Sequence, residues 1–314
     1  EAHGGLGLGH LELCVIAEEL GRAVAPIPFA STVYFLAEAI MLAGSDEQKA
    51  ELLPKIAAGE VIGAVATSEG PGVLTPAALQ ASVSDGKLTG VKVPVTDGDI
   101  ATVALVLAKE NGKPGLFIAD LTGGPVSREV VKTLDPTRDA AKLTFKDTPV
   151  RRIGAAGEGF ELLEQVFDRA AVLLAFEQTG GADRCLEMAK EYALERYAFG
   201  RVIASYQAIK HKLADMYVKN ELSRSNAYYG AWALNTNAPE LPVAASAARI
   251  AASEAFWFAS KENIQTHGGI GFTWEMDCHL YYRRSRQLSL VAGAPRVWKE
   301  RLVSHLERRN VEAA

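Results

Sequence analysis

The hydrophobic period of the chain changes twice, and this change limits the possible folds more than any other feature. Residues 10 to 44 place apolar side chains at helical spacing, and the same period returns after Phe160 and continues. Between these regions lie short apolar runs, such as residues 103–107, which are separated by turn formers. The order helices, strands, helices is typical of segregated α and β domains and not of a doubly wound sheet.

We therefore predict an α+β multidomain protein with N-terminal helices, a central antiparallel β domain and a C-terminal four-helix bundle. The predicted domains are residues 1–58, 59–154 and 155–314.

Several shorter signals predict where elements begin and end. Ser45 and Gln48 form a capping box, so a helix should begin there and stop near Pro54. Asp85-Gly86 and Asp97-Gly98 are hairpin signals within the β domain. A second long C-terminal helix should run from about residue 242 to 263.

Charge and composition argue against several classes of function. The chain has 33 basic and 38 acidic residues, so it lacks the basic surface that nucleic-acid binding needs. No apolar run approaches about 18 residues, so we expect no membrane span. The first residues lack the order of a signal peptide, and the absent initiating Met suggests that N-terminal sequence is missing. We expect a cytoplasmic protein with buried, reduced thiols at Cys14, Cys185 and Cys278.

Two stretches in the helical half could carry chemistry. The first begins at Arg196 and reads RYAFG; an arginine there could bind a pyrophosphate through its planar fork or cap helix carbonyls. The second reads QTHGGIG from Gln265, and its glycines either admit a ligand to the backbone or end a helix. His267 alone is more typical of a hydrogen-bonded structural histidine than of a base. GxGxxG, P-loop, HExxH and GxSxG motifs are all missing.

In combination these motifs resemble the acyl-CoA dehydrogenase family. RxxFG, a glutamine seven residues after its glycine, QxxGGxG and Tyr282-Arg283 follow the order and spacing of that family's C-terminal domain. EELG at residues 18–21 and QKAELLPKIAAG at residues 48–59 resemble its N-terminal domain, so the resemblance covers nearly the whole chain.

The resemblance implies an FAD-dependent dehydrogenase of acyl-CoA thioesters, a tetramer, and an electron-transferring flavoprotein as the electron acceptor. FAD would lie across a subunit interface. The residues that the resemblance assigns to FAD are Arg196, Phe199, Gln207, Gln265, Gly268 and Gly269, with Gly271 shaping the same loop and Thr96 facing flavin N5.

The chain departs from the family where the catalytic glutamate is expected. Nine residues after Arg283 stands Ala292, whose methyl group cannot accept a proton. Some members place the glutamate on the first long helix instead, and that position is Ala170 here. Glu177 lies two turns further along roughly the same face and is a candidate base, although a structural role is the alternative.

The substrate end departs as well. The family's loop that touches flavin and substrate is shortened to Ser68–Gly72, and the tryptophan near the flavin is replaced by Pro94. Three readings stay open. In the first, the chain is a subunit of a hetero-oligomeric acyl-CoA dehydrogenase whose homologous partner supplies the base. Its substrates would be steroid side-chain or other bulky acyl-CoA thioesters. Alternatively it is a flavin-free structural or interaction subunit, or a homotetrameric dehydrogenase that uses Glu177.

Overall fold

The computed structural model describes residues 2–312, which form two compact units. One unit, here called the β unit, comprises Pro26–Ala170 with the first residues up to Gly7. The other, here called the helical unit, comprises Leu8–Ala25 and the chain from Ala171 onward. Each is described by itself. The domain boundaries at residues 58 and 154 stay a prediction.

The N-terminal helices form where the helical period predicts them. They are α1 (His10–Arg22), a π-helical turn (Ala30–Ala37) that continues into α2 (Glu38–Ala43), and α3 (Asp46–Ala57). The capping box is confirmed, because the Gln48 amide donates to Ser45 Oγ at 3.2 Å and the Ser45 amide donates to Gln48 Oε1 at 3.0 Å. The expected stop near Pro54 is wrong: α3 runs through it, and the Ala58 amide donates to the Pro54 carbonyl at 2.9 Å. A proline in the last turn loses only one helical hydrogen bond.

A seven-stranded sheet forms the centre of the β unit. Its strands are β1 (Gly63–Ala66), β2 (Ser82–Ser84), β3 (Lys87–Thr96), β4 (Val103–Glu110), β5 (Lys113–Asp120), β6 (Val126–Val131) and β7 (Ala140–Ile153). Most pairings are antiparallel, as predicted, whereas β1 and β2 run parallel to β4. Pairings β4–β2, β2–β3, β3–β7, β7–β5 and β5–β4 close a ring of strands around an apolar core.

The two predicted hairpins have different outcomes. Asp85 and Gly86 both have positive φ and join the paired strands β2 and β3, as predicted. Asp97-Gly98 does not form a hairpin, because β3 pairs with β2 and β7, and β4 with β1, β2 and β5, within the described sheet. The Asp97 backbone has a positive φ, but its carboxylate binds Arg138 instead of shaping a two-residue turn.

Long helices dominate the helical unit. They are the second half of α4 (Gly159–Glu195), α5 (Gln207–Asn235), α6 (Leu241–His267), α7 (Cys278–Leu290) and α8 (Pro295–Glu312), with the hairpin β8 (Tyr197–Ala198) and β9 (Arg201–Val202) between α4 and α5. Helix α6 packs on α5, α7 and α8. It begins one residue before and ends four residues after the predicted 242–263. Of the described helices, none is long and apolar enough to cross a bilayer.

Helix α1 packs on α4 at backbone contact. A Cβ on Gly21 would lie 1.8 Å from the Glu177 carbonyl oxygen, and a Cβ on Gly180 would lie 2.0 Å from the Glu18 carbonyl oxygen. No side chain fits at such distances, so these reciprocal glycines set how closely the helices approach. The EELG segment therefore has a packing role in α1.

Candidate functional site

The RxxFG motif lies at the end of α4 and continues into the β8–β9 hairpin. The Arg196 amide donates to the Tyr192 carbonyl at 2.9 Å, so the arginine directly follows the last helical turn. Phe199 and Gly200 form the hairpin turn with φ angles of +52° and +79°, as a two-residue turn requires. The Phe199 side chain is 97% exposed, so the motif presents an uncovered aromatic ring.

Tyr206 ties this hairpin to the start of α5. Its hydroxyl donates to the Ala198 carbonyl at 2.9 Å, and the Arg201 guanidinium lies 4.0 Å from the centre of its ring. Gln207, the next residue, is the first residue of α5 and is exposed. Tyr206 thus connects the turn of the motif to the start of α5, where Gln207 lies.

The QxxGGxG motif ends α6. His267 is buried, its Nδ1 lies 2.9 Å from the Asn263 carbonyl oxygen, and its ring stacks on Tyr192 with centroids 4.3 Å apart. The expected structural role of His267 agrees with this position. Because Tyr192 is one turn before Arg196, the stacked rings bring the two motifs next to each other. No local sequence pattern predicts this contact, since the two residues are far apart in the chain.

The glycines of this motif differ in their surroundings. Gly268 has a φ of +63°, and within the described part of the chain no atom lies within 4 Å of a Cβ built on Gly268 or Gly269. At Gly271, by contrast, a Cβ would lie 2.6 Å from the Ile264 carbonyl oxygen. The first two glycines therefore leave an open approach to the backbone, whereas Gly271 shapes the loop.

Three polar side chains of the motifs are available to a ligand. Arg196, Gln207 and Gln265 are exposed, and their side chains make no hydrogen bond or ion pair with any other part of residues 2–312. A free guanidinium, two free carboxamides and open glycine backbone suit an anionic dinucleotide. The residues of the helical unit therefore fit FAD.

Thr96 lies in the β unit at the end of β3, opposite Ala140 of β7, and is half-buried. Nearby, Pro94 is exposed. Sequence reasoning missed the buried charges that flank this segment, Lys92 and Asp97. Leu88 and Lys92 lie on the same face of β3 by simple alternation and are both buried, whereas the irregular pairing with β7 after Lys92 shifts the alternation so that Val95 is the next buried residue.

The position of the missing base follows α7. Ala292 is half-buried and has a φ of +58°. Arg249, which is 1% exposed, holds the adjacent backbone: its Nη2 donates to the carbonyls of Leu288 and of Val291, the latter at 2.9 Å, and its Nη1 donates to Gln178 Oε1. Burial lowers the pKa of Arg249 to about 9, which leaves the guanidinium charged at neutral pH.

The alternative base positions are both enclosed. Ala170 is fully buried. The Glu177 side chain is 4% exposed and lies 3.6 Å from the Arg284 guanidinium, whose side chain is 1% exposed. A buried carboxylate next to a buried guanidinium favours a structural role for Glu177 over that of a base.

The remaining titratable groups suggest no further chemistry. The three described cysteines are buried free thiols, and burial raises the pKa of Cys14 to about 12 and that of Cys278 to about 11. Among the described residues, no group of three or more His, Cys, Asp or Glu could hold a metal ion.

Comparison with known proteins agrees with this fold and site. The acyl-CoA dehydrogenase N-terminal domain matches residues 1–60, and the acyl-CoA dehydrogenase C-terminal domain matches residues 157–306. The chain is 36% identical to acyl-CoA dehydrogenase IpdE2 of Mycobacterium tuberculosis, over 98% of this chain and 81% of that protein.

Two solved structures are similar throughout. A variant of the Tcur3481-Tcur3483 steroid ACAD is 31% identical with a TM-score of 0.88, covering 99% of this chain and 84% of that chain. A chain from a structure described as the electron transferring flavoprotein of Acidaminococcus fermentans is 27% identical with a TM-score of 0.90, covering 97% and 84%.

The chain belongs to the acyl-CoA dehydrogenase family. It is an FAD-dependent oxidoreductase of the class that acts on CH–CH bonds, and it has the family's fold of N-terminal helices, β domain and C-terminal helices.

Proposed function

We propose that this chain is one subunit of a hetero-oligomeric acyl-CoA dehydrogenase whose homologous partner supplies the catalytic glutamate. The observation that carries the proposal is the contrast within the helical unit. The Arg196, Gln207 and Gln265 side chains of the FAD motifs are exposed and make no hydrogen bond or ion pair within the described chain, whereas the base position holds Ala292. A flavin-free scaffold would have no use for the first set, and a self-sufficient enzyme would need a base.

The chain's own residues would bind and orient the cofactor. The Arg196 fork and the Gln207 and Gln265 carboxamides donate hydrogen bonds to the dinucleotide, and the backbone at Gly268 and Gly269 admits it closely. The family resemblance assigns Phe199 to the same cofactor and Thr96, in the β unit, to its flavin. FAD supplies the acceptor for the hydride that leaves the β carbon of the acyl group. The partner's glutamate takes the α proton, which the Ala292 methyl cannot do.

The substrate class and the partners are part of the proposal. A steroid side-chain or another bulky acyl-CoA thioester is favoured because a similar solved structure is a steroid ACAD. The paired designation Tcur3481-Tcur3483 supports a heteromeric assembly, here a heterotetramer. An electron-transferring flavoprotein as electron acceptor is supported by the similarity to the Acidaminococcus fermentans structure.

Expression of the chain alone and together with a homologous subunit tests the proposal. We expect flavin absorbance, a stable tetramer and acyl-CoA oxidation only for the co-expressed complex. In that complex Arg196→Ala should lower the FAD content, and the matched change Arg296→Ala should not, because Arg296 is an 89% exposed side chain outside the motifs. An active, yellow homotetramer would contradict the proposal and direct attention to Glu177. A colourless complex would support the flavin-free subunit.

A further inference from the structure

The ladder between β3 and β7 is interrupted just before Val95 and Thr96. Lys92 pairs with Leu143 of β7, but the next paired residue of β3 is Val95, which pairs with Ala141. Two residues of β3 therefore lie opposite one residue of β7, as in a bulge, and one of them, Pro94, has no amide hydrogen to donate. The β3–β7 ladder therefore skips residues 93 and 94, which lead to the paired residues Val95 and Thr96.

A buried ion pair lies before this segment. Lys92 Nζ lies 2.7 Å from Glu69 Oε1, and the two side chains are 0% and 16% exposed. The Glu69 carboxylate also accepts from the amides of Gln80 and Ala81 at 2.7 and 3.0 Å. Burial raises the pKa of Glu69, but the hydrogen bonds from Lys92 and these amides outweigh it and hold the pKa below its ordinary value. Glu69 is thus held as a carboxylate.

The same pair attaches the shortened substrate loop to β3. Glu69 belongs to the loop Ser68–Gly72, and the Val93 amide donates to the Ser68 carbonyl at 2.9 Å. Lys92 Nζ also donates to the Thr67 carbonyl at 3.3 Å. Three contacts therefore join Ser68 and Glu69 of the loop, and Thr67 directly before it, to two consecutive residues of β3.

A second buried ion pair lies directly after Thr96. The Arg138 guanidinium donates to both oxygens of Asp97, with Nε to Oδ1 at 2.9 Å, and both side chains are 5% exposed. The Ser31 hydroxyl donates to Asp97 Oδ2 at 2.5 Å, and the Asp97 amide donates to the Asp139 carbonyl at 3.0 Å. This bidentate contact fixes the orientation of Asp97 as well as its position.

We propose that the pairs Lys92–Glu69 and Asp97–Arg138 are positioning residues that place Thr96 and the substrate loop against the flavin. The proposal rests on the proposed function, which assigns Thr96 to the flavin. Buried ion pairs add little net stability compared with apolar residues of the same volume, but their directional contacts fix geometry. Here they stand on both sides of the segment 93–96, whose pairing with β7 is interrupted at residues 93 and 94.

Neutral double variants test this proposal without leaving an unpaired buried charge. Lys92→Met with Glu69→Gln, and Asp97→Asn with Arg138→Met, are each made in the FAD-loaded complex, with and without Thr96→Ala. We expect each pair variant to raise the FAD dissociation constant about fivefold and to change the shape of the flavin absorption band. Thr96→Ala should do the same in the native background and add little to either pair variant, because Thr96 is then already displaced.

The control is a pair at the other end of β7, Glu110→Gln with Arg152→Met, which should leave the flavin band and the effect of Thr96→Ala unchanged. Ser31→Ala removes the hydroxyl that donates to Asp97 and accepts from Arg138, while the ion pair itself remains. It should shift the band in the same direction, so it decides the matter if a pair variant fails to fold. Native flavin bands and an undiminished Thr96→Ala effect in all variants would overturn the inference and leave the proposed function standing. A Thr96→Ala complex with native flavin properties would instead overturn the assignment of Thr96, and the inference with it.

Discussion

Two regions of the helical unit use glycine and arginine in opposite ways. In the interior, backbone carbonyls of the neighbouring helix occupy the space where a side chain on Gly21 or Gly180 would lie. Arg249 is buried there, and its guanidinium donates hydrogen bonds to carbonyl oxygens. At the two FAD motifs, there is open space around Gly269, and the Arg196 side chain makes no hydrogen bond or ion pair in the described chain. The same residue types thus support packing in one region and remain available to a ligand in the other.

This difference in packing and hydrogen bonding distinguishes structural residues from ligand-binding residues, and it does so independently of the sequence motifs. Substitution of a residue that is closely packed and hydrogen-bonded within the fold should lower the free energy of unfolding. A residue left open should affect the ligand and leave the fold intact. Matched substitutions in the two regions can therefore test this distinction.

The largest effect is expected for Arg249→Met compared with Arg196→Met. Loss of the buried guanidinium leaves the carbonyls of Leu288 and Val291 without their donor, and we expect a loss of about 4 kcal/mol in the free energy of unfolding. Arg196→Met should change it by less than about 0.5 kcal/mol and instead weaken FAD binding about tenfold. Urea unfolding and FAD titration measure the two effects, and equal losses of stability would contradict the distinction.

Gly180→Ala compared with Gly269→Ala should give the next largest difference. A methyl group on Gly180 would lie 2.0 Å from the Glu18 carbonyl oxygen, so α1 must shift, at a cost of about 3 kcal/mol. Gly269→Ala meets open space and should leave stability within about 0.5 kcal/mol of the native chain. It should nevertheless weaken FAD binding, because the methyl occupies the approach to the backbone. Unchanged FAD binding in Gly269→Ala would argue against that approach.

A smaller effect is expected for Glu177→Gln. The amide keeps the shape but loses the charge next to buried Arg284, and we expect about 2 kcal/mol less stability with turnover of the complex within a few-fold of native. If Glu177 were the base, turnover would fall by about 100-fold or more. Parallel measurement of unfolding and of turnover at saturating substrate separates the two roles.

Local patterns in the sequence were enough to predict much of the fold. The change of hydrophobic period predicted helices, then strands, then helices, because helix and strand repeats differ at every position. The capping box at Ser45 and the hairpin at Asp85-Gly86 form as predicted, since each depends on a few neighbouring residues. The resemblance carried by RxxFG and QxxGGxG indicated the family and its cofactor.

Long-range packing sets which glycines are in contact with other backbone and which charged side chains are paired. The Tyr192–His267 stack, the contact of Gly180 with α1, and the two ion pairs beside Thr96 join residues distant in the chain, so no local pattern predicts them. Asp97-Gly98 predicted a hairpin that does not form. Turn propensity is a local property, whereas the pairing of β3 and β4 depends on the whole sheet. Sequence therefore determined the elements and the cofactor motifs, and long-range packing determined which side chains remain available to bind.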